Sequence, residues 1–427
     1  MNPKFQAPRG TLDYTPPGSL ALRRLQELAA EVFSRYGFLP LETPIFESTD
    51  LFTRSIGEET DIVSKEMYTF PDKKGRSLTL RPEGTASAVR AYLERGLEDT
   101  GFSRFWYFGP MFRYERPQAG RTRQFFQLGV EAFADAGPAS DAEVIECFWR
   151  LCEALGLEGL QVKLNSVGCA ACRGAYTAAL KERLRGREGD VCEQCRTRLE
   201  KNPLRILDCK VAADQELYRD LPKLVDSLCE ACAAHFAGVR GNLELLGVAY
   251  VLEPRLVRGL DYYTRTAFEI TSGALGAQDA VGGGGRYDLL VEQFGGRPTP
   301  AVGFAAGVER LLMVAEKTAA SLPAPYAGTA YIAALGERVG RRALELARDI
   351  RTEKLSCLLD LGPGGLGKKL KAASRLACGW ALILGDAELD SGNIAVKDLA
   401  SGEQKLVPLE GLVTYLKERR GHPCRTS

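Results

Sequence analysis

The side chains best suited to binding a charged ligand lie in a segment of alternating polar and apolar residues, YFGPMFRYERPQAGRTRQFFQLGVEAF at 107–133. Successive side chains of a β-strand point to opposite faces, which places Arg113 and Glu115 together on a first predicted strand. The same periodicity places Gln127 and Glu131 on one face of a second strand. Two antiparallel strands are therefore predicted to present ionic and amide groups to one side.

The predicted loop between these strands, RPQAGRTRQ, is rich in arginine and includes Arg121. Arginine offers fixed, bidentate donors to phosphate oxygens, so a hairpin with this loop above it is suited to holding a polyphosphate against a polar ligand. Alternating polar residues are also common on solvent-facing antiparallel sheets, and a surface hairpin is the alternative.

Three further segments place polar or bare backbone groups beside predicted strands. VRGLDYYTRTAFEI at 257–270 brings Arg258, Tyr262 and Tyr263 next to an apolar strand, which indicates a pocket, with surface tyrosines as the alternative. The four glycines of VGGGGRYD leave a face without side chains, where either a ligand lies flat or the chain bends tightly. Arg310 is predicted in an otherwise apolar helix, where it requires an anionic partner, either a structural carboxylate or a phosphate.

Alternating strand and helix patterns surround these segments. Residues 18–36 have apolar side chains at helical spacing, and the following FLPLETPIFE has the alternation and prolines of an edge strand. From Cys169 to about Leu245 the composition changes to Ala, Leu, Arg, Glu and paired cysteines, which predicts a separate helical unit. Glycine-rich, strand-like sequence then resumes.

The C-terminal part of the chain is predicted to be a domain of its own. A Pro-containing stretch of small residues predicts a linker, and beyond it strands and helices alternate as in a compact α/β domain. GPGGLGKK at 362–369 has the spacing of a phosphate-binding P-loop up to its lysine, but Lys369 then stands where a magnesium-binding Ser or Thr is required. We therefore favour a glycine-rich start to a basic helix.

The composition excludes several classes of protein. The 427 residues are 45% hydrophobic and 26% charged, as in an ordinary soluble protein, and 56 basic against 55 acidic residues give no strongly basic surface. With only two histidines, a mechanism built on a histidine base is disfavoured. No apolar run could span a bilayer and the N-terminus has no signal-like stretch, so we expect a cytoplasmic protein with no membrane partner.

Five segments, in this order, closely resemble the histidyl-tRNA synthetases, a family of class II aminoacyl-tRNA ligases. They are RPEGTA (81–86), FRYERPQAGRTRQFFQ and the glutamate that follows (112–131), RGLDYYTRTAFE (258–269), GGGGRYD (282–288) and GFAAGVERL (303–311). Any one of these strings is weak, whereas five in the correct order are highly specific. The resemblance extends from Arg9 to the LASGEQ segment at 399–404.

The resemblance implies an α+β fold in which helices flank a class II antiparallel sheet, with a helical insertion and a C-terminal α/β anticodon-binding domain. The implied divisions are a catalytic core at 1–168 and 246–317, the insertion at 169–245, a linker at 318–327 and the anticodon-binding domain at 328–427. The implied partners are histidine, ATP as a substrate with Mg2+, the histidine tRNA and a second copy of the chain in a homodimer.

Site residues carry over from the family by motif, and they include the residues singled out above. Histidine binding is implied for Glu83, Thr85, Gln127, Glu131, Arg258, Tyr262 and Tyr263. ATP binding is implied for Arg113, Glu115, Arg121 and Arg310. The implied catalytic residues are Arg113 and Arg258, with Arg258 between the amino-acid carboxylate and the α-phosphate. Attack of that carboxylate on the α-phosphate gives histidyl-adenylate and pyrophosphate, and no protein nucleophile is needed.

The insertion departs from the general family pattern in its cysteines. It contains three Cys-x-x-Cys pairs and a lone cysteine, namely Cys169/Cys172, Cys192/Cys195, Cys229/Cys232 and Cys209. The first two pairs are separated by 19 residues, which suits a closed structural zinc site. The candidate zinc ligands are therefore Cys169, Cys172, Cys192 and Cys195. Reduced thiols are the alternative, and seven cysteines leave the pairing undetermined.

Two other functions compete with the ligase. A non-catalytic regulatory relative of the synthetase in histidine biosynthesis keeps the class II core, but such relatives usually lack the C-terminal domain and several catalytic arginines. Here the arginines are present and about 100 residues follow the linker, so the ligase is favoured. A P-loop ATPase would depend on residues 362–369 alone.

Overall fold

The structure is a computed structural model that describes residues 5–57, 60–116, 120–187, 189–209, 211–275, 279–317 and 326–420. The chain divides into two compact units, Met1–Ser321 and Leu322–Ser427. The predicted linker at 318–327 lies outside the described residues except for its last two positions. Within the described ranges, no helix has the length and apolar character needed to cross a bilayer.

Helices and strands alternate through the first unit. Its α-helices are α1 (Gly18–Arg35), α2 (Thr49–Ile56), α3 (Thr85–Glu94), α4 (Pro138–Ala154), α5 (Ala170–Leu184), α6 (Glu193–Lys201), α7 (Ala212–Leu217), α8 (Glu230–Leu245), α9 (Leu290–Gln293) and α10 (Val308–Lys317). Its strands are β1 (Leu39–Pro40), β2 (Phe46–Ser48), β3 (Tyr68–Pro71), β4 (Ser77–Leu80), β5 (Arg104–Phe112), β6 (Gln124–Phe133), β7 (Leu160–Ser166), β8 (Tyr250–Leu252), β9 (Thr264–Ser272), β10 (Ala280–Arg286) and β11 (Ala301–Gly307). The segment predicted to be a helical insertion holds α5 to α8.

An eight-stranded sheet in the order β1-β5-β6-β11-β10-β9-β7-β8 supports the first unit. The pairings from β5 across to β7 are antiparallel, and the short edge strands β1 and β8 pair in parallel with β5 and β7. A smaller antiparallel sheet has the order β2-β4-β3. A largely antiparallel sheet flanked by helices confirms the predicted α+β class.

One face of the large sheet is covered by helices. Helix α1 buries Leu25, Ala29 and Phe33, which recur every four residues and form the apolar stripe expected of a helix that packs on a sheet. The ring of Phe33 lies 5.9 Å from that of Phe304 on β11, and Phe148 of α4 stacks on Phe304 at 4.4 Å. The helices thereby close the apolar core on this side. On the other face, Phe105 and Phe133 pack with Tyr92 of α3 in a second apolar cluster, and the same face also carries polar residues of the central strands.

A buried polar network fastens α8 to the sheet. Oδ2 of Asp141 on α4 lies 2.8 Å from Nε2 of His235 on α8, and Nε of Arg286 on β10 donates to Oδ1 of Asp141 at 2.9 Å. Burial alone would raise the pKa of Asp141, but the hydrogen bond from His235 and the charge of Arg286 hold it below the usual value. A buried guanidinium is tolerated here because both its charge and its donors are matched.

The second unit is an α/β domain. Its elements are β12 (Ala330–Ala334), α11 (Gly340–Thr352), β13 (Cys357–Asp360), α12 (Leu366–Arg375), β14 (Trp380–Leu384), α13 (Asp386–Ser391), β15 (Asn393–Asp398), β16 (Gln404–Pro408) and α14 (Leu412–Arg420). The five strands form a sheet in the order β13-β12-β14-β15-β16. The pairings of β12 with β13 and β14 are parallel, and the pairings of β15 with β14 and β16 are antiparallel. The predicted strand and helix alternation is confirmed.

The glycine-rich segment before α12 does not present its lysine to a phosphate. Nζ of Lys369 donates to the carbonyl oxygens of Asp360 and Gly362 at 2.9 and 2.7 Å, and it lies 3.1 Å from the Asp360 carboxylate. The side chain is only 2% exposed. These contacts use the ammonium group to close the loop, which argues against a P-loop ATPase.

Candidate active site

A cavity of about 210 Å3 opens on the sheet face opposite the helical layer. Leu128 and Val130 of β6 belong to the core under the helices, so Gln127, Gly129 and Glu131 point to the cavity side. Ten of the eleven side chains predicted to bind histidine or ATP line this one cavity: Glu83, Thr85, Arg113, Glu115, Arg121, Gln127, Arg258, Tyr262, Tyr263 and Arg310. The eleventh, Glu131, lies directly below it.

Glu131 is the centre of a buried hydrogen-bond network beneath the cavity. Its Oε1 accepts from Thr85 Oγ1 at 2.7 Å and lies 3.4 Å from the Tyr107 hydroxyl, while the Tyr287 hydroxyl donates to Oε2. Burial raises the pKa of Glu131 to about 8, although the hydroxyl hydrogen bonds oppose the shift. The side chain is thus oriented by three hydroxyls, and burial favours its neutral form.

Glu83 and Gln127 are fixed by the first turn of α3. Glu83 accepts from the backbone N–H groups of Thr85 and Ala86 at 2.6 and 2.9 Å, so its carboxylate caps the helix N-terminus. Oε1 of Gln127 accepts from the N–H of Gly84 at 3.1 Å. Burial raises the pKa of Glu83 above its usual value. Both side chains therefore line the cavity in fixed positions.

Arg258 lies over the bare backbone of β10. A Cβ at Gly283 would sit 2.8 Å from a terminal nitrogen of Arg258 and 2.5 Å from the Phe268 carbonyl oxygen, so glycine is needed for this close approach. The guanidinium pairs with Glu269 on β9. Its Nε is buried and has no hydrogen-bond partner within the described chain. A buried donor of this kind is costly to leave unpaired, so an acceptor on a ligand would stabilise it.

Three arginines surround the other end of the cavity. Arg113 donates from Nε to the Pro82 carbonyl oxygen at 2.9 Å, and Glu115 lies between Arg113 at 3.8 Å and Arg121 at 3.1 Å. The sequence predicted Arg113 and Glu115 within a strand, but β5 ends at Phe112. Both residues belong instead to the loop after the strand, and they still line the cavity.

Arg310 lies close to the arginine loop at the start of α10. Its Nε donates to the carbonyl oxygen of Ala280 at 2.7 Å. Burial and then the neighbouring charge of Arg121 lower the pKa of Arg310. Two guanidiniums that destabilise each other are a favourable site for an anion, because a phosphate between them would neutralise both.

Three residues of the site were not assigned roles in the sequence. Glu309 accepts from the backbone N–H of Phe126 at 2.8 Å and from the hydroxyl of Tyr14, and it holds the N-terminal segment against β6. Tyr107 and Tyr287 orient Glu131. Strand periodicity gave a partial signal for the position of Tyr107, because it places this side chain on the same strand face as Phe105. Nothing in the sequence links Tyr14 to Glu309.

The predicted zinc ligand set is wrong, because the structure separates its two pairs. Cys169 and Cys172 lie with the third pair, Cys229 and Cys232, whereas Cys192 and Cys195 lie with Cys209 and Asp214. The prediction relied on the 19-residue spacing along the chain. Tertiary packing decides the grouping instead, because α5, which directly follows Cys169, packs against the 3-10 turn Leu224–Ser227, which lies just before Cys229.

Comparison with known families matches nearly the whole chain. Residues 10–311 match the family model for histidyl-tRNA synthetase, and residues 329–419 match that for an anticodon binding domain. The histidine–tRNA ligase of Halothermothrix orenii is 47% identical over 414 residues, which cover 97% of this chain and 99% of the relative. That of Thermosynechococcus vestitus is 48% identical over 411 residues, which cover 96% of each.

Solved structures give the same result for the fold. The crystal structure of apo S. aureus histidyl-tRNA synthetase has a TM-score of 0.82 and 35% identity, and the match covers 97% of this chain and 100% of that one. A protein from Bacillus halodurans, described as an ATP phosphoribosyltransferase regulatory subunit/histidyl-tRNA synthetase, has a TM-score of 0.63 over 90% of this chain and 98% of that one. At 23% identity, the second match shows a shared fold alone.

Proposed function

The chain belongs to the histidyl-tRNA synthetase family, and from that premise we propose how its residues activate histidine with ATP and support its transfer to tRNA. The observation that carries the proposal is the two-ended cavity. A buried carboxyl group with a raised pKa lies below one end, and three arginines surround the other. Such a cavity is suited to holding a neutral heterocycle beside a polyphosphate.

Histidine binds with its imidazole ring toward Glu131 and Tyr263. These two groups match the two ring nitrogens, and amino acids without such nitrogens would leave the buried polar atoms unpaired. The hydroxyls of Thr85, Tyr107 and Tyr287 already fix Glu131 before any ligand arrives. The specificity for histidine therefore rests on two preorganised hydrogen-bonding groups.

The α-amino group of histidine binds between Glu83, Thr85 and Gln127. Carboxylate, hydroxyl and amide oxygens are suitable acceptors for an ammonium group. Tyr262 lies next to Tyr263, with ring centroids 4.8 Å apart, and it closes the wall behind the amino acid. The fixed contacts of Glu83 and Gln127 with the start of α3 support this orientation.

Arg258 aligns the reacting carboxylate with the α-phosphate. A carboxylate oxygen of histidine attacks the α-phosphorus, the bond from that phosphorus to the bridging oxygen breaks, and pyrophosphate leaves with the electron pair. Negative charge moves between the two groups during this step, so a guanidinium that faces both stabilises the transition state. The unpartnered Nε of Arg258 supports this role.

ATP binds at the arginine end of the cavity. Arg113, Arg121 and Arg310 hold the phosphates, and Glu115 orients Arg113 and Arg121 through its two ion pairs. ATP is used as its Mg2+ complex, in which the metal neutralises part of the phosphate charge. A zinc ion in the insertion is structural in this proposal, because no cysteine lines the described cavity.

The second unit binds the anticodon region of the histidine tRNA, consistent with its match to anticodon binding domains.

The ligase is favoured over the regulatory alternative because all the predicted catalytic and phosphate-binding arginines line one cavity. Curated relatives that cover nearly the whole chain are histidine–tRNA ligases. A cytoplasmic homodimer is a further part of the proposal.

The test is ATP–pyrophosphate exchange by the full-length protein with each of the twenty amino acids. Histidine should support exchange, and the other nineteen should give rates at least about 100-fold lower, because each would leave buried polar groups unpaired. No exchange with histidine, or faster exchange with another amino acid, would overturn the proposed function.

A further inference from the structure

The seven cysteines of the insertion divide into two groups in space, with no residue shared. The first group, site A, consists of Cys169, Cys172, Cys229 and Cys232. The second, site B, consists of Cys192, Cys195, Cys209 and Asp214. We propose that each site binds one structural zinc ion, through four thiolates at site A and through three thiolates and a carboxylate at site B.

Site A has the dimensions of a tetrahedral zinc site. Zinc–sulfur bonds of about 2.3 Å in a tetrahedron place the sulfur atoms about 3.8 Å apart. The Sγ atom of Cys169 lies 3.6 Å from that of Cys172 and 4.0 Å from that of Cys229. The backbone N–H of Cys229 also donates to Sγ of Cys172 at 3.1 Å, which brings the two pairs of site A into direct contact.

The position of site A indicates a structural role for the ion. Cys169 follows β7 and directly precedes α5, and Cys229 directly precedes α8, 60 residues later. The ion would therefore join the point where the chain enters the insertion to the helix through which it leaves. A cross-link between distant segments restricts the unfolded chain, so metal binding would add to the stability of the insertion.

Site B contains a buried carboxylate with no cationic partner among the residues that the structure describes. Asp214 is 1% exposed, and both of its oxygens lie 3.2 Å from the backbone nitrogen of Cys192. Its Oδ2 is 3.2 Å from Sγ of Cys209, and Sγ of Cys209 is 3.9 Å from that of Cys192. No lysine or arginine of the described ranges pairs with Asp214. The carboxylate and the three sulfur atoms lie within 4.8 Å of one another, so a single zinc ion could bind all four groups.

Residues next to site A and between the ligands of site B contact the segment Arg258–Tyr263, which we call the histidine-binding loop. This part of the inference rests on the proposed function. Arg173, next to Cys172, donates to the carbonyl oxygen of Tyr263 at 3.2 Å. Asn202 and Arg205, in the segment closed by site B, donate to the Asp261 carboxylate at 2.9 and 3.2 Å. The two ions would thus fix the supports of the loop, so their loss should weaken histidine binding more than ATP binding.

The first test is the metal content of full-length protein purified without added metal. We expect two zinc ions per chain in the wild type, and one each in Cys229→Ser/Cys232→Ser and in Cys192→Ser/Cys195→Ser. Cys378→Ser, which changes a buried cysteine of the second unit, is the control and should keep both ions. No zinc, or a single ion in the wild type, would overturn the two-site assignment.

X-ray absorption on the wild type keeps the inference testable if a variant fails to fold. One four-sulfur site and one three-sulfur site give an average of about 3.5 sulfur ligands per zinc, and a value near two would overturn the assignment.

The link to the loop is tested by kinetics. Protein refolded after the zinc has been removed with a chelator should show a KM for histidine raised about threefold or more, with the KM for ATP unchanged. If the protein binds two zinc ions but their removal changes neither KM, the two sites stand and their link to the loop is wrong. If two ions are bound but histidine supports no ATP–pyrophosphate exchange, only the proposed function is refuted.

Discussion

The side-chain amide of Asn202 donates to Oδ1 of Asp261 at 2.9 Å, and this hydrogen bond ties the helical insertion to the loop between Arg258 and Tyr262. Arg205 donates to the same carboxylate oxygen at 3.2 Å. No described side chain between α5 and α8 lines the cavity. The insertion therefore acts on the site indirectly, by fixing the loop that carries Arg258, Leu260 and Tyr262.

Substitution of Arg205 should weaken the binding of histidine without affecting ATP. Arg205→Ala removes the contact with Asp261 and a 2.7 Å hydrogen bond to the Gly259 carbonyl oxygen. A net loss of about 1 kcal/mol corresponds to a roughly fivefold higher KM for histidine in pyrophosphate exchange. The control is Arg219→Ala, whose exposed ion pair with Glu216 is also in the insertion. An equal rise in the KM for ATP would contradict a local effect on the loop.

Arg258→Ala should abolish adenylate formation while the protein stays folded. The guanidinium faces two anions whose charge shifts in the transition state, so its loss should slow single-turnover adenylation by about 100-fold or more. Glu269 is left without its partner but remains 23% exposed, which limits the cost to stability. Arg255→Ala, a change at an exposed arginine three residues earlier, serves as the control. A variant at position 258 that forms adenylate at the wild-type rate would refute the assignment.

The fold and most of the site could be predicted from the sequence because local patterns determine them. Helical spacing identified α1, and strand periodicity placed Gln127 and Glu131 on the same face of β6. The glycine run at 282–285 indicated the bare face under Arg258. These features depend on neighbours along the chain, and the family motifs supplied the long-range order.

The relationships that the sequence did not reveal join residues far apart in the chain. Asp141 meets His235 and Arg286 only after α4, α8 and β10 have packed together. The prediction of the zinc ligands was wrong for the same reason. Spacing along the chain favoured the second pair as the partner of Cys169, whereas the tertiary fold brings the third pair to it. Seven cysteines gave several combinations of suitable spacing, and only tertiary structure distinguishes among them.

Glu131 should make the stability of the fold depend on pH in a defined direction. Its pKa rises from about 4.5 to about 8 on folding, so the folded state holds more protons than the unfolded state between these values. The contribution of Glu131 is full below pH 4.5 and is lost as pH rises toward 8, at up to about 1.4 kcal/mol per pH unit.

Glu131→Gln removes this titration and tests the effect. Denaturant unfolding of the wild type, measured relative to the variant, should show a free energy of unfolding that falls between pH 5.5 and about 7.5. The exposed Glu316→Gln should leave the pH dependence unchanged. A difference between wild type and Glu131→Gln that stays constant over this range would show that the carboxyl group is ionised in the folded protein.

Removal of the second unit should separate adenylation from tRNA charging. The unit has its own five-stranded sheet and core, and the residues proposed for adenylation all lie in the first unit. A chain that ends before Gly328 should therefore keep histidine-dependent pyrophosphate exchange within about threefold, while kcat/KM for tRNA falls by about 100-fold or more, because contacts to nucleic acid supply much of the binding energy. Unfolding and sedimentation of the shortened chain provide the control for folding and assembly. If it charges tRNA as efficiently as the full chain, the second unit does not bind the anticodon region.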